Sequence, residues 1–193
     1  MTEDIKINNY ANYKRFLVNL IGDENTKKII ELLGGDEKVM NASFGMSEDS
    51  GSAYAGSLVE NSIAIAEYAK KINETFPQNM RVNNKSIYKV ALLQHIAKVL
   101  MYVENDNEWE VKNRGFVYKF VDQNTALRCG ERSLFLLMQV GVVLTEDEFE
   151  AIRIVDKSKE DDAFSKFFSN TLAFVIRQAN EIVSLVNKHK TVE

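Results

Sequence analysis

Cysteine, histidine and proline are scarce: the 193 residues include one Cys, two His and one Pro. A lone cysteine, Cys129, forms no internal disulfide and excludes a cysteine-rich zinc module; it suits a reducing cytoplasm. His95 and His189 lie far apart in the chain, which already disfavours a histidine-rich metal centre. No run approaches the roughly 20 apolar residues of a membrane span. The opening MTEDIKINNY is acidic and polar where a secretory leader would carry positive charge and then an apolar stretch. These features predict a soluble cytoplasmic protein with no membrane partner. An excess of positive charge is also missing, since 24 Lys and Arg stand against 28 Asp and Glu, for a net charge of -4. That balance excludes the generalised attraction to polyphosphate on which non-specific nucleic-acid binders rely.

What the chain does have is apolar residues spaced three and four apart, which predicts a mostly helical single domain. Tyr10 to Ile21 reads as a first helix, and Asn25 to Leu33 as a second, closed by Gly34-Gly35. The small polar segment Met46 to Gly56 reads as a loop, and as a hinge between an N-terminal helical extension (1–50) and the remainder (51–193). Ser57 to Glu74 forms one amphipathic stripe ended by Pro77, and Asn84 to Val103 a central helix. The period then shortens: Trp109 to Lys112 and Phe116 to Phe120 read as a β-hairpin with Gly115 in its turn. Helical spacing returns from Gly130 to Val140. Thr145-Glu146-Asp147-Glu148 is a capping box opening a helix to about Val155, and a last helix runs from Phe164 to Lys188.

Several segments after Gly51 share one register. They are Ala55-Gly56-Ser57-Leu58-Val59-Glu60-Asn61-Ser62; Ala91-Leu92-Leu93-Gln94-His95-Ile96-Ala97-Lys98; Cys129-Gly130-Glu131-Arg132-Ser133; Leu144 through Val155; and Gln178-Ala179-Asn180. In order and spacing this series resembles the HD-domain metal-dependent phosphohydrolases, particularly a bacterial and phage branch. The resemblance covers about three quarters of the chain. It implies an all-α, HD-like helical bundle carrying a small β-hairpin and an N-terminal helical extension.

The departures from the family pattern fall on its metal ligands. Asn61 stands where the resemblance implies the first histidine, Gln94 and His95 where it implies a His-Asp pair, Cys129 and Val155 at two further histidines, and Asn180 at the closing aspartate. Such ligands supply charge and strong nitrogen donors to a divalent ion that activates water. Asn and Gln offer weak neutral oxygens and Val none, so the resemblance implies a pseudoenzyme with no catalytic residue, no metal and no cofactor. The Asn and Gln substitutions nevertheless keep polar groups in place. Lys98, Arg132 and Arg153 then remain as positive charge near a phosphate-facing cleft, able to hold an anion by charge-assisted hydrogen bonds.

Each of these residues also has a plainer reading. His95 on an apolar helix is a buried histidine, Cys129 a small hydrophobe forming a pocket wall rather than a nucleophile, and each cation a surface ion-pair partner. Trp109 and Tyr118 read as packing aromatics, or as stacking platforms for a base. Asp106, Glu108 and Glu110 read as a solvated acidic loop; Lys112, Arg114 and Lys119 guard an exposed edge; and His189 has no role.

The expectation is a catalytically inactive protein that sequesters a nucleotide or other phosphorylated small molecule, with Asn61, Gln94, His95, Lys98, Cys129, Glu131, Arg132, Arg153 and Asn180 at the site. If the chain is phage-encoded, it would act in the host cytoplasm as a counter-defence protein. Two alternatives stand beside this: a protein–protein interaction module with a vestigial pocket, and a phosphohydrolase with a rearranged metal site. Apolar helix faces could also pair copies into a homo-oligomer.

Overall fold

A computed structural model describes residues 1–155 and 170–190. Ten helices and a two-stranded sheet follow one another among these residues: α1 (Glu3–Ile21), α2 (Asp23–Leu32), α3 (Asp36–Met40), α4 (Ser57–Thr75), α5 (Asn84–Leu93), α6 (Lys98–Met101), β1 (Tyr102–Glu104), α7 (Glu108–Arg114), β2 (Tyr118–Phe120), α8 (Cys129–Gln139), α9 (Glu146–Arg153) and α10 (Thr171–Lys190). The fold is all-α with a small antiparallel pair. No described helix is long and apolar enough to cross a membrane.

The centre of the bundle is α4, packed against both α5 and α10, with α9 closing over α5 and α10 and α8 lying on α9. Ile65, Ala66 and Ala69 of α4, Ile87, Val90 and Leu93 of α5, and Val175, Ile176 and Ala179 of α10 are almost wholly buried. Their three- and four-residue spacing aims one stripe of each helix at the others. The N-terminal section shares this core. Leu17 of α1 and Ile29 of α2 belong to the same apolar cluster, and the Tyr13 hydroxyl donates to the Leu92 carbonyl at 2.8 Å.

Several helix ends follow the expected chemistry. After α2, the Gly35 and Gly34 amides donate back to the Ile30 and Glu31 carbonyls, and both glycines have positive φ. Before α9, Thr145 Oγ1 accepts from the Glu148 amide while the Glu148 carboxylate accepts from the Thr145 amide. The Met46–Gly56 segment is a loop with one 3-10 turn at Glu48–Ser50. It is tied on several sides: the Glu48 amide donates to Gly115, Ser57 Oγ donates to the Ser52 carbonyl, and Gly51 sits so close to α10 that a β-carbon would collide with the Asn187 carbonyl.

Three expectations are corrected. The central helix does not run unbroken to Val103: α5 stops at Leu93, a turn spans Gln94 to Ala97, and Tyr102 and Val103 belong to β1. The Ser133 hydroxyl stabilises this break by donating to the Gln94 carbonyl and accepting from the Ala97 amide. The hairpin's first strand is β1, not Trp109–Lys112, which is helical in α7. Asn107 caps α7 by accepting from the Trp109 and Glu110 amides, and Gly115 closes it in the left-handed region with φ 63°. Gly115 is therefore a helix terminator rather than a hairpin turn. Finally, α1 begins at Glu3, a full two turns before Tyr10. The expected start of the last helix, Phe164, lies outside the described residues, whereas its end is seen at Lys190.

Candidate functional site

The turn between α5 and α6 carries two of the nine expected site residues, Gln94 and His95, and a third, Lys98, opens α6. Gln94, completely buried, faces Asn180 of α10. Asn180 Nδ2 donates to Gln94 Oε1 at 3.1 Å, and Gln94 Nε2 donates back to Asn180 Oδ1 at 3.4 Å. Asn180 Nδ2 also donates to the Ile176 carbonyl one turn earlier. Asn61 on α4 behaves alike: its Nδ2 donates to the Ser57 carbonyl at 2.7 Å, and its Oδ1 accepts from Asn187 Nδ2 at 2.5 Å. Asn187 lies two helical turns beyond Asn180 on the same helix, so α10 presents two amides in line, one to α5 and one to α4. These carboxamides serve one another.

His95 is 6% exposed, with its ring edge-on to Phe44 at 4.9 Å between centroids. Burial, reinforced by the neighbouring Lys98 ammonium, holds its pKa well below 6.5, so the ring is neutral at physiological pH. Its Nδ1 is buried without a hydrogen-bond partner. Lys98 Nζ donates to the Phe44 carbonyl at 2.8 Å and lies 3.7 Å above the centre of the Phe44 ring. Phe44, which the sequence reading missed, thus touches both residues. Its only signal in the sequence was an aromatic residue inside a run of small ones.

Cys129, Glu131 and Arg132 all lie in the first turn and a half of α8. Glu131 accepts from the Arg128 amide at 3.1 Å, a capping role. Arg132 donates through one terminal nitrogen to the Thr125 carbonyl and hydroxyl, while its Nε is buried and unpartnered. Ser133, next along α8, makes the two bonds to the Gln94–Ala97 turn noted above, so α8 is fastened to the segment that bears His95. Cys129 is buried. Gly130 meets α9 so closely that a β-carbon would collide with the Ile152 carbonyl, and Val155 packs against the same glycine. Arg153, half-buried near the end of α9, has no described bond to this group.

The donor set does not suit a divalent metal. The oxygens of Asn61, Gln94 and Asn180 already accept from amides, Val155 has no donor, and among the described residues no three of His, Cys, Asp and Glu come together. A neutral, amide-lined core with cations at its edge can instead orient an anion or close on itself. No protein family model, no curated protein and no solved structure matches the chain.

Proposed function

We propose that this chain is a catalytically inactive HD-like protein that binds a nucleotide or another phosphorylated small molecule and holds it without turnover. One observation carries the reading. Among the described residues, two buried side-chain nitrogens lack a partner, His95 Nδ1 and Arg132 Nε, and both belong to residues implied by the resemblance. An orphaned buried polar atom marks a group that is missing from its surroundings. An arginine Nε–H and a neutral imidazole can both donate to a phosphate oxygen. In this reading Asn61, Gln94 and Asn180 form the packed floor beneath the ligand rather than contacting it. Sequestration of a signalling nucleotide is the use that the phage-branch resemblance implies.

The self-paired amides also favour a second reading, an interaction module over a vestigial pocket. Phe135 and Met138, one turn apart on the outer face of α8, are 50% and 66% exposed and give that reading a surface.

The experiment is to identify by mass spectrometry any small molecule released on denaturing protein purified from nucleotide-rich cells, followed by calorimetry with that compound. Arg132→Ala and His95→Phe are expected to weaken binding about tenfold or more. No released nucleotide, together with no thermal shift across linear and cyclic nucleotides, would reject the ligand reading and favour the module. Metal-dependent phosphatase activity with stoichiometric bound metal would overturn both.

A further inference from the structure

The two-stranded sheet has one covered edge and, on the β1 side, one edge that is open at Glu104. In the β1–β2 register, Tyr102 pairs with Phe120, Val103 with Lys119, and Glu104 with Tyr118. Flanking bonds from the Asn105 amide to the Val117 carbonyl and from the Val121 amide to the Met101 carbonyl fix which pairs are hydrogen-bonded. Bonded and non-bonded pairs alternate along an antiparallel ladder, so Val103 and Lys119 exchange bonds and Glu104 and Tyr118 do not. The backbone groups of Glu104 and Tyr118 therefore point away from the ladder on opposite sides. On the β2 side, the Tyr118 amide donates to the Met46 carbonyl, and Ser47 bridges to Phe116. On the β1 side, the Glu104 amide and carbonyl take no partner among the described residues.

A cleft of about 480 Å³ runs along that open edge, with α3 as its far wall. All three consecutive β1 residues line it, together with Tyr118 of β2, so the cleft wraps the β1 edge and the sheet face that Tyr102, Glu104 and Tyr118 share. Val103 is 40% exposed. Lining carboxylates from Glu37 and Glu104 outnumber the single cation Lys38, so the cleft carries a negative excess. β1 has neither the lysine nor the proline that commonly guards an edge against pairing.

We infer that this cleft is a peptide-docking site in which an extended segment of a partner protein, alternating basic and apolar residues, adds a third strand to β1. The Glu104 amide and carbonyl supply backbone pairing, and the Glu37 and Glu104 carboxylates select a basic side chain. The site is separate from the His95–Arg132 centre and stands or falls independently of ligand binding there.

The test uses the full chain with three acetylated, amidated probes: Lys-Val-Lys-Val-Lys, Glu-Val-Glu-Val-Glu, and the lysine peptide N-methylated at alternate nitrogens. Amide exchange and chemical shifts at Glu104 are followed by NMR. The lysine peptide is expected to bind saturably and slow Glu104 exchange about tenfold, with the N-methylated form losing that effect. Glu104→Pro removes the outward N–H while leaving the bonds to β2, so it should abolish binding without shifting thermal unfolding. Glu104→Lys should transfer preference to the glutamate peptide. Absence of saturable binding by either charged peptide, indifference to N-methylation, or shifts confined to Asp106 and the α7 surface would overturn the inference.

Discussion

Gln94 and Asn180 show how much a single pair of side chains decides here. Gln94 is completely buried in the apolar bundle with Asn180 half-buried against it, so a Gln94 amide left without its partner would bear the full cost of desolvation. Asn180→Leu alone strands the Gln94 amide, and urea titration should show a loss of about 1–3 kcal/mol. The double change Gln94→Met with Asn180→Leu removes both polar groups and should recover most of that loss, giving a strong positive coupling in a double-mutant cycle. Additive losses would mean that the amides act separately. The same residues show what was legible from sequence at this scale. The register placed polar residues at Asn61, Gln94 and Asn180, and all three do face neighbouring helices. It could not show that they pair inward, because Asn61's partner, Asn187, is 126 positions away and belongs to no motif. Of the implied ligand contacts, His95 and Arg132 keep buried atoms in need of a partner, whereas Glu131 is used in a helix cap.

Among the elements, α7 contains no buried residue and so owes its existence to local chemistry. Asn107 accepts two amides at its start, Glu108–Lys112 and Glu110–Arg114 are ion pairs one turn apart, and Gly115 ends it. Those pairs are exposed and each stabilises by only about 0.3–0.5 kcal/mol, leaving the cap as the largest local contribution. Asn107→Ala is expected to cost α7 about 1 kcal/mol. Hydrogen exchange should speed at Val111 and Gly115 while the amides of α4 and α5 keep their protection; a uniform rise across the bundle would contradict this local picture. The cap and the charge spacing were both present in the sequence, yet the alternation of Trp109, Val111 and Phe116 to Phe120 pointed to a hairpin. Strand assignment over so few residues depends on the partner strand, and that partner, β1, was concealed at the end of an apolar helix pattern. Long helices such as α4 and α10 were legible because many residues repeat the same stripe, whereas the break at Gln94–Ala97 rests on one hydroxyl from α8. That same α8 packs on α9 through Gly130, where Gly130→Ala should cost about 1–3 kcal/mol by forcing the helices apart, as read from the urea midpoint.

At the scale of the whole molecule, the two-histidine composition becomes a statement about pH. His95 is buried, and folding perturbs its titration. Buried as the neutral ring, it binds its proton far less readily in the folded chain than in the unfolded one, whose pKa is near 6.5. Below that pH the unfolded state carries more protons, so stability falls with acidification at up to about 1.4 kcal/mol per pH unit, until the folded-state pKa is reached. Above 6.5 the histidine adds no slope. Asp36, held low by Lys14 and Tyr10, acts in a separate and more acidic window, losing its contribution only as pH falls below its ordinary 3.8. At the alkaline end the sign is set by Tyr10 and Tyr13, whose burial raises both above 10. As pH rises past 10 the unfolded chain loses phenolic protons that the folded chain retains, and stability falls again. Urea unfolding between about pH 5 and 8 should therefore show a decline that starts near the unfolded histidine pKa, and His95→Phe should flatten that decline while leaving the alkaline limb unchanged. A decline of equal steepness in His95→Phe would assign the acid sensitivity to carboxylates and detach it from the buried centre.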